Sequence, residues 1–127
     1  MTAITNEGPD AMDITSHIEA GLATLTLDGR LDFATSRVLE KAAADILDGG
    51  THRILIDMAA VPYVSSAGLR AILVAAKAAQ ATGGGIAIHG LQPMVADVFI
   101  TSGFGQIVIL AETGAEARDR LLAGKAA

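Results

Sequence analysis

Two adjacent serines, Ser65 and Ser66, carry most of the chemistry this chain offers, within the run Val61-Pro62-Tyr63-Val64-Ser65-Ser66-Ala67-Gly68-Leu69-Arg70. The apolar segment Ile54-Leu55-Ile56 leads toward them, and Leu69, Ile72, Leu73, Ala76 and Ala79 recur beyond them at helical spacing. The serines are therefore expected at a strand-to-helix turn, where the first backbone N–H groups of the helix lack intrahelical partners. Three chemistries fit a hydroxyl there. It can cap the free N–H groups. It can accept a phosphoryl group, whose charge then meets the positive end of the helix dipole. It can act as a nucleophile, which requires a base and commonly the pattern Gly-x-Ser-x-Gly. The third fits poorly, because Val64-Ser65-Ser66-Ala67-Gly68 lacks the first glycine. His17, His52 and His89, the available bases, each fall in or beside an expected strand, with no tie to the serines.

Asp32 is the second polar candidate. It precedes an amphipathic stretch and suits the N-cap of a helix from Phe33 to about Asp48. Loops that follow parallel strands gather at the strands' carboxyl ends. The helix starts at Asp32 and Ser66 are therefore expected on one rim. Phe33, Val61, Pro62 and Tyr63 belong near it, as core or as a docking patch. Gly83-Gly84-Gly85 follows a helix and precedes a strand, the reverse of a phosphate loop, and reads as a helix stop. The acidic residues are scattered without metal spacing, so neither metal nor cofactor is expected.

The elements that position these residues follow from periodicity. Residues 1–12 are polar and contain Gly8-Pro9, and read as a flexible tail before a single domain over 13–127. Ile14–Glu19 and Leu22–Asp28 read as strands of a hairpin turned at Ala20-Gly21, with Ala23, Leu25 and Leu27 on one side of the second. In the helix after Asp32 the apolar face is Val38 or Leu39, Ala42, Ala43, Ile46 and Leu47, closed by Gly49-Gly50. A strand over His52–Asp57, the helix from about Ser66 to Thr82, and a strand over Ile86–His89 come next. Pro93 opens a helix that ends before Gly103. Gln106–Leu110 reads as the last strand, and Thr113-Gly114-Ala115-Glu116 as the capping box of a final helix to about Ala123. Alternating strands and helices indicate an α/β sheet covered by helices.

Composition limits the function classes. Hydrophobic residues are 51% of 127, enough for a packed core, while aromatics at 3% leave that core to Ala, Val, Ile and Leu. A net charge of −5 without a basic run argues against nucleic acid. The absence of cysteine removes disulfides, thiolate metal sites and Cys nucleophiles. No apolar run approaches a membrane span, and no signal peptide is read, so a cytoplasmic protein is expected.

From about Ile14 onward the chain resembles the STAS domain, in particular the small bacterial anti-sigma factor antagonists. The resemblance rests on Gly29-Arg30-Leu31-Asp32, Ile54-Leu55-Ile56-Asp57-Met58, Val64-Ser65-Ser66-Ala67-Gly68-Leu69, Pro93-x-Val95 and Ser102-Gly103-Phe104. It implies a mixed sheet of four or five strands with helices mainly on one face, and no catalytic activity. It also implies a partner, an anti-sigma factor that is a serine kinase of the histidine-kinase-like ATPase type. That kinase phosphorylates a serine in an Asp-Ser-x-Gly-Leu motif, and a PP2C-type phosphatase reverses the step. Aligned on Gly68-Leu69, the acceptor is Ser66. Ser65 stands where the family carries an acidic residue, and is a possible second acceptor. Asp32 matches the family's aspartate near the acceptor. The implied docking residues are Asp32, Phe33, Tyr63, Ser65, Ser66, Ala67, Gly68 and Arg70. The competing expectation is a STAS subunit that serves as a non-switching scaffold in a lipid- or anion-transport or signalling assembly, with Ser66 as a cap. A monomer is expected.

Overall fold

The computed structural model describes residues 2–5 and 12–123. In chain order the elements are β1 (Thr2–Thr5), β2 (Asp13–Glu19), β3 (Leu22–Asp28), α1 (Phe33–Asp48), β4 (Arg53–Ala60), α2 (Ser66–Ala81), β5 (Gly85–His89), α3 (Pro93–Thr101), β6 (Ile109–Ala111) and α4 (Gly114–Ala123). One sheet holds all the strands in the order β1-β2-β3-β4-β5-β6. The pairs β1–β2 and β2–β3 are antiparallel, and β3 through β6 run parallel. The expected mixed sheet is therefore present as β2–β6.

The N-terminal stretch departs from the tail expected over 1–12. Thr2–Thr5 pairs with Ser16–Asp13 as an edge strand, and Met12 is fully buried in the main core. The reason is that β2 leaves one edge unpaired, and a short β-branched segment can satisfy it. Residues 6–11 lie outside the described residues.

The hairpin turn Ala20-Gly21 has positive φ at both positions, 54° and 79°, the twist that two-residue hairpins favour. β4 and β5 present apolar side chains on both faces, as parallel strands covered by helices must. Ala23, Leu25, Leu27, Ile54, Ile56, Met58, Ile86 and Ile88 point into the main core, where α1, α2 and α3 cover them. On the opposite face Leu22, Leu55 and Ala87 meet Ala117 and Leu121 of α4. Three helices thus lie on one face and one on the other. α1 buries Leu39, with Val38 only partly covered, and Ala42, Ala43 and Ile46 continue the stripe.

Two boundaries differ from expectation by more than one residue. β4 continues past Asp57 to Ala60, because a register shift after Thr26 brings Asp28 opposite Ala60 and prolongs the pairing. The last strand begins at Ile109, later than the expected Gln106. A 3-10 turn over Phe104–Gln106 intervenes, anchored by buried Phe104, whose ring packs edge-on against Phe99 at 5.2 Å. Side chains of α4 bond the chain at the end of β6. Arg120 donates to the Leu110 carbonyl (2.9 Å) and Glu116 accepts from the Glu112 N–H (3.2 Å). The Arg120 bond occupies one β6 carbonyl and places a charge beside this short edge strand, which limits edge-to-edge pairing.

Candidate functional site

The site grows from two adjacent helix starts. The loops after β3 and β4 leave the same end of the sheet and continue its parallel pairing through a Leu31–Val64 bridge. The Leu31 N–H donates to the Tyr63 carbonyl (2.9 Å), and the Ser65 N–H donates to the Leu31 carbonyl (2.9 Å). Leu31 and Val61 are fully buried and Val64 nearly so, which pins both loops to the core. Gly68 is needed for this approach. A Cβ there would lie 2.7 Å from the Leu31 carbonyl oxygen and 2.8 Å from its Cγ.

At the first helix start, Asp32 is the N-cap of α1. Its Oδ1 accepts from the Thr35 N–H (3.1 Å), and the Asp32 N–H donates to Thr35 Oγ1 (2.9 Å). The Thr35 hydroxyl donates to the Arg30 carbonyl (2.6 Å). Thr35, fully buried, is thus the keystone of this loop and absent from the residues singled out in the sequence. The Asp-x-x-Thr spacing, a variant of the capping box, was its signal. The Thr35 N–H, with further help from the Thr35 hydroxyl, the Ala34 N–H and Arg30, holds the Asp32 carboxyl below the usual aspartate range against the opposing effect of burial.

At the second start the two serines separate in role. Ser65 is the N-cap of α2, with extended backbone (φ −89°, ψ 173°) and Oγ accepting from the Gly68 N–H at 3.2 Å. Ser66 is the first residue of α2. It is exposed, and its hydroxyl makes no hydrogen bond among the described residues. The cap expected on Ser66 under the scaffold reading therefore belongs to Ser65. A helix N-cap must have non-helical backbone, and Ser66 is already helical.

Around the serines the rim carries exposed aromatic rings, each beside an arginine. Phe33 is 69% exposed and Tyr63 41%, so both are surface residues, while Val61 is core. The Arg30 guanidinium lies 4.2 Å above the Tyr63 ring and its Nε is 3.9 Å from Asp32 Oδ2. Arg37 lies 5.5 Å from the Phe33 ring centre. Ala67 is half-buried, Gly68 buried and Arg70 exposed. Arg30 joins the two loops and was missed as a site residue. Its stacking on Tyr63, a long-range contact, together with its approach to Asp32 reveals it.

The three histidines sit elsewhere. His52 precedes β4, at the opposite end of the strand from Ser66, with a buried Nδ1 that has no hydrogen-bond partner among the described residues. His17, on β2, bonds Glu19 at 3.0 Å and lines a cavity of about 380 Å³ between the hairpin and α4. The His89 ring lies against Gly114 of α4, on the face away from α1 and α2. None is paired with Ser65 or Ser66. No cluster of three or more metal-ligating side chains occurs among the described residues, and no helix there is long and apolar enough to cross a membrane.

Residues 13–117 match the family model of the STAS domain. BtrV of Bordetella bronchiseptica, named provisionally as an anti-sigma factor antagonist, is 34% identical over 93 residues, which are 73% of this chain and 80% of BtrV. The crystal structure of TM1081 from Thermotoga maritima, also a provisional anti-sigma factor antagonist, aligns with a TM-score of 0.80 at 21% identity over 86% of this chain and 94% of that one. The phosphorylated form of the Bacillus cell fate determinant SpoIIAA aligns with a TM-score of 0.67 at 21% identity over 84% of this chain and 97% of that one. The structural matches establish the shared fold, and the family match extends over most of the chain. This chain belongs to the STAS domain family.

Proposed function

We propose that this protein is a cytoplasmic anti-sigma factor antagonist that acts by binding alone. It docks its rim on an anti-sigma factor that is also a serine kinase of the histidine-kinase-like ATPase type, and so releases a sigma factor. Phosphorylation of Ser66 ends the interaction, and a PP2C-type phosphatase restores it. The names of the relatives support the partner class. The observation that carries the switch is the free, exposed Ser66 hydroxyl beside a Ser65 committed to capping.

The physics is local. A phosphoserine carries close to two negative charges. At the first position of α2 those charges face the positive end of the helix dipole, so the fold tolerates them. In a docked interface they become a buried charge without a partner, at a cost of several kcal/mol. About 2.8 kcal/mol is already a hundredfold in affinity. No rebuilding of α2 is needed. Ser65 is the poorer acceptor, because its oxygen is part-buried and already engaged by the Gly68 N–H, whereas Ser66 is exposed.

A pull-down from the native host with wild type, Ser66→Ala and Ser66→Asp tests the reading. Wild type and Ser66→Ala should capture the same ATPase, and Ser66→Asp should lose it. Capture of that ATPase by Ser66→Asp at wild-type yield, or of transporter components by all three baits, refutes the switch.

A further inference from the structure

α2 departs from the charge pattern of the rest of the chain. The net charge is −5, yet the only ionised side chains on α2 are Arg70 and Lys77. Both are exposed, and neither makes an ion pair or side-chain hydrogen bond among the described residues. Ser66, Arg70 and Lys77 stand at i, i+4 and i+11, which is one stripe of a helix. Beside that stripe, between α1 and α2, runs an apolar groove of about 250 Å³. Ala44 and Leu47 of α1 and Ala71, Val74 and Ala78 of α2 are among its lining, with Glu40 as its charged member on the α1 flank. Val74 is 49% exposed there and Ala78 is exposed, so the groove is open to a partner.

We infer that this groove seats an amphipathic helix of the anti-sigma partner, with apolar residues in the groove and acidic residues facing Arg70 and Lys77. The inference rests on the function proposed above. Small side chains along both walls let a third helix approach closely, the arrangement of helix-in-groove recognition. Ala71 to Ala78 spans about 10 Å at 1.5 Å per residue, which matches apolar anchors near i, i+4 and i+7 of the incoming helix. Glu40 on the opposite flank selects a basic residue there and so fixes the direction of the helix. A second copy of this chain fits less well. A two-fold contact with its axis across the groove would set the α2 cation stripes against each other, and one with its axis along the groove would leave a single Glu40 facing each pair of cations. The arrangement also couples the groove to Ser66. A phosphoryl group at Ser66 adds a charge of about −1.5 to −2 one turn from Arg70, which offsets that cation and weakens the attraction for an acidic helix, while Lys77, about 16 Å along the helix, lies beyond the screening length and keeps its charge.

Photo-crosslinking in native host cells tests this with the full chain. Benzoylphenylalanine replaces Ala78 or, separately, Val74, both exposed positions, and circular dichroism checks the fold of each variant. The expected result is one adduct from both positions whose crosslinked partner segment is an acidic helix. Its yield should fall at least tenfold when Arg70→Glu and Lys77→Glu are combined. No adduct, an adduct with a second copy of this chain, a non-acidic segment, or a yield unmoved by the charge reversal overturns the groove. Ser66→Asp separates the two readings. An acidic-helix adduct that meets these criteria and survives Ser66→Asp removes the switch and leaves the groove. Loss of ATPase capture in Ser66→Asp with no groove adduct removes the groove and leaves the switch.

Discussion

Replacement of Gly68 by alanine tests whether the two helix starts are joined as tightly as their geometry requires. The new Cβ would sit 2.7 Å from the Leu31 carbonyl oxygen, 2.8 Å from Leu31 Cγ and 3.2 Å from a Val64 methyl. Leu31 has no room to retreat. Its side chain is fully buried, and its backbone holds Tyr63 and Ser65 through two hydrogen bonds. Overpacking of this kind costs about 1–3 kcal/mol. Alanine in place of glycine within a helix recovers up to about 1 kcal/mol, less in a first turn. The net destabilisation is about 1–2 kcal/mol, or a fall in melting temperature of about 4–8 °C for a domain of this size. Thermal unfolding followed by circular dichroism measures it, and amide chemical shifts should move at Leu31, Asp32 and Ser65–Gly68. Gly105→Ala is the control, since a Cβ there meets only Leu110 Cδ1 at 3.9 Å, and its stability should stay within about 0.5 kcal/mol of wild type. A Gly68→Ala protein that melts at or above the wild-type temperature would refute the close junction of the loops.

The two serines should separate in stability as they do in geometry: Ser65→Ala loses the α2 cap and about 1 kcal/mol, whereas Ser66→Ala stays within about 0.5 kcal/mol, as read from urea midpoints. Equal losses would return the cap to both residues. Asp32 brings a pH dependence. Its folded pKa lies below the unfolded one, chiefly because the Thr35 N–H bonds the carboxylate. That contribution is complete above the ordinary aspartate pKa of about 3.9 and is lost as pH falls through the lower folded value. An asparagine caps without titrating, so the stability difference between wild type and Asp32→Asn should be flat above about pH 5 and decline in acid. A flat difference down to about pH 2 would show that the carboxylate is not held by the cap.

Much of this architecture was legible from short-range chemistry. Asp32, Pro93 and Thr113 marked helix starts that the structure contains, because side-chain caps at Asp32 and Thr113 form within four residues and the fixed φ of Pro93 suits a first helical turn. The alternation in Leu22–Asp28 grouped Ala23, Leu25 and Leu27 on one side, because strand periodicity depends only on backbone geometry, and packing turned that side into the main core. The N-terminal strand was illegible because Thr2–Thr5 has no core pattern of its own and is held by the free edge of β2. The late start of β6 was illegible because it depends on Phe104 reaching Phe99.

The candidate site divides the same way. The sequence alone determined that a hydroxyl pair precedes a helix, that an aspartate caps another, and that glycine follows at position 68. Which serine is the cap was open, because a serine suits the position in either register. The tertiary structure decided it by bonding the Ser65 N–H to Leu31 and holding Ser65 in an extended conformation, with Ser66 already helical. The surface or core fate of Phe33, Val61 and Tyr63 was also open, since an apolar side chain near a loop is compatible with either. Packing settled it: Val61 enters the core beneath the joined loops, and Phe33 and Tyr63 stay outside beside Arg37 and Arg30. The physical reason is range: hydrogen bonds at a cap form between near neighbours in the chain, whereas burial depends on what the sheet brings together from distant segments.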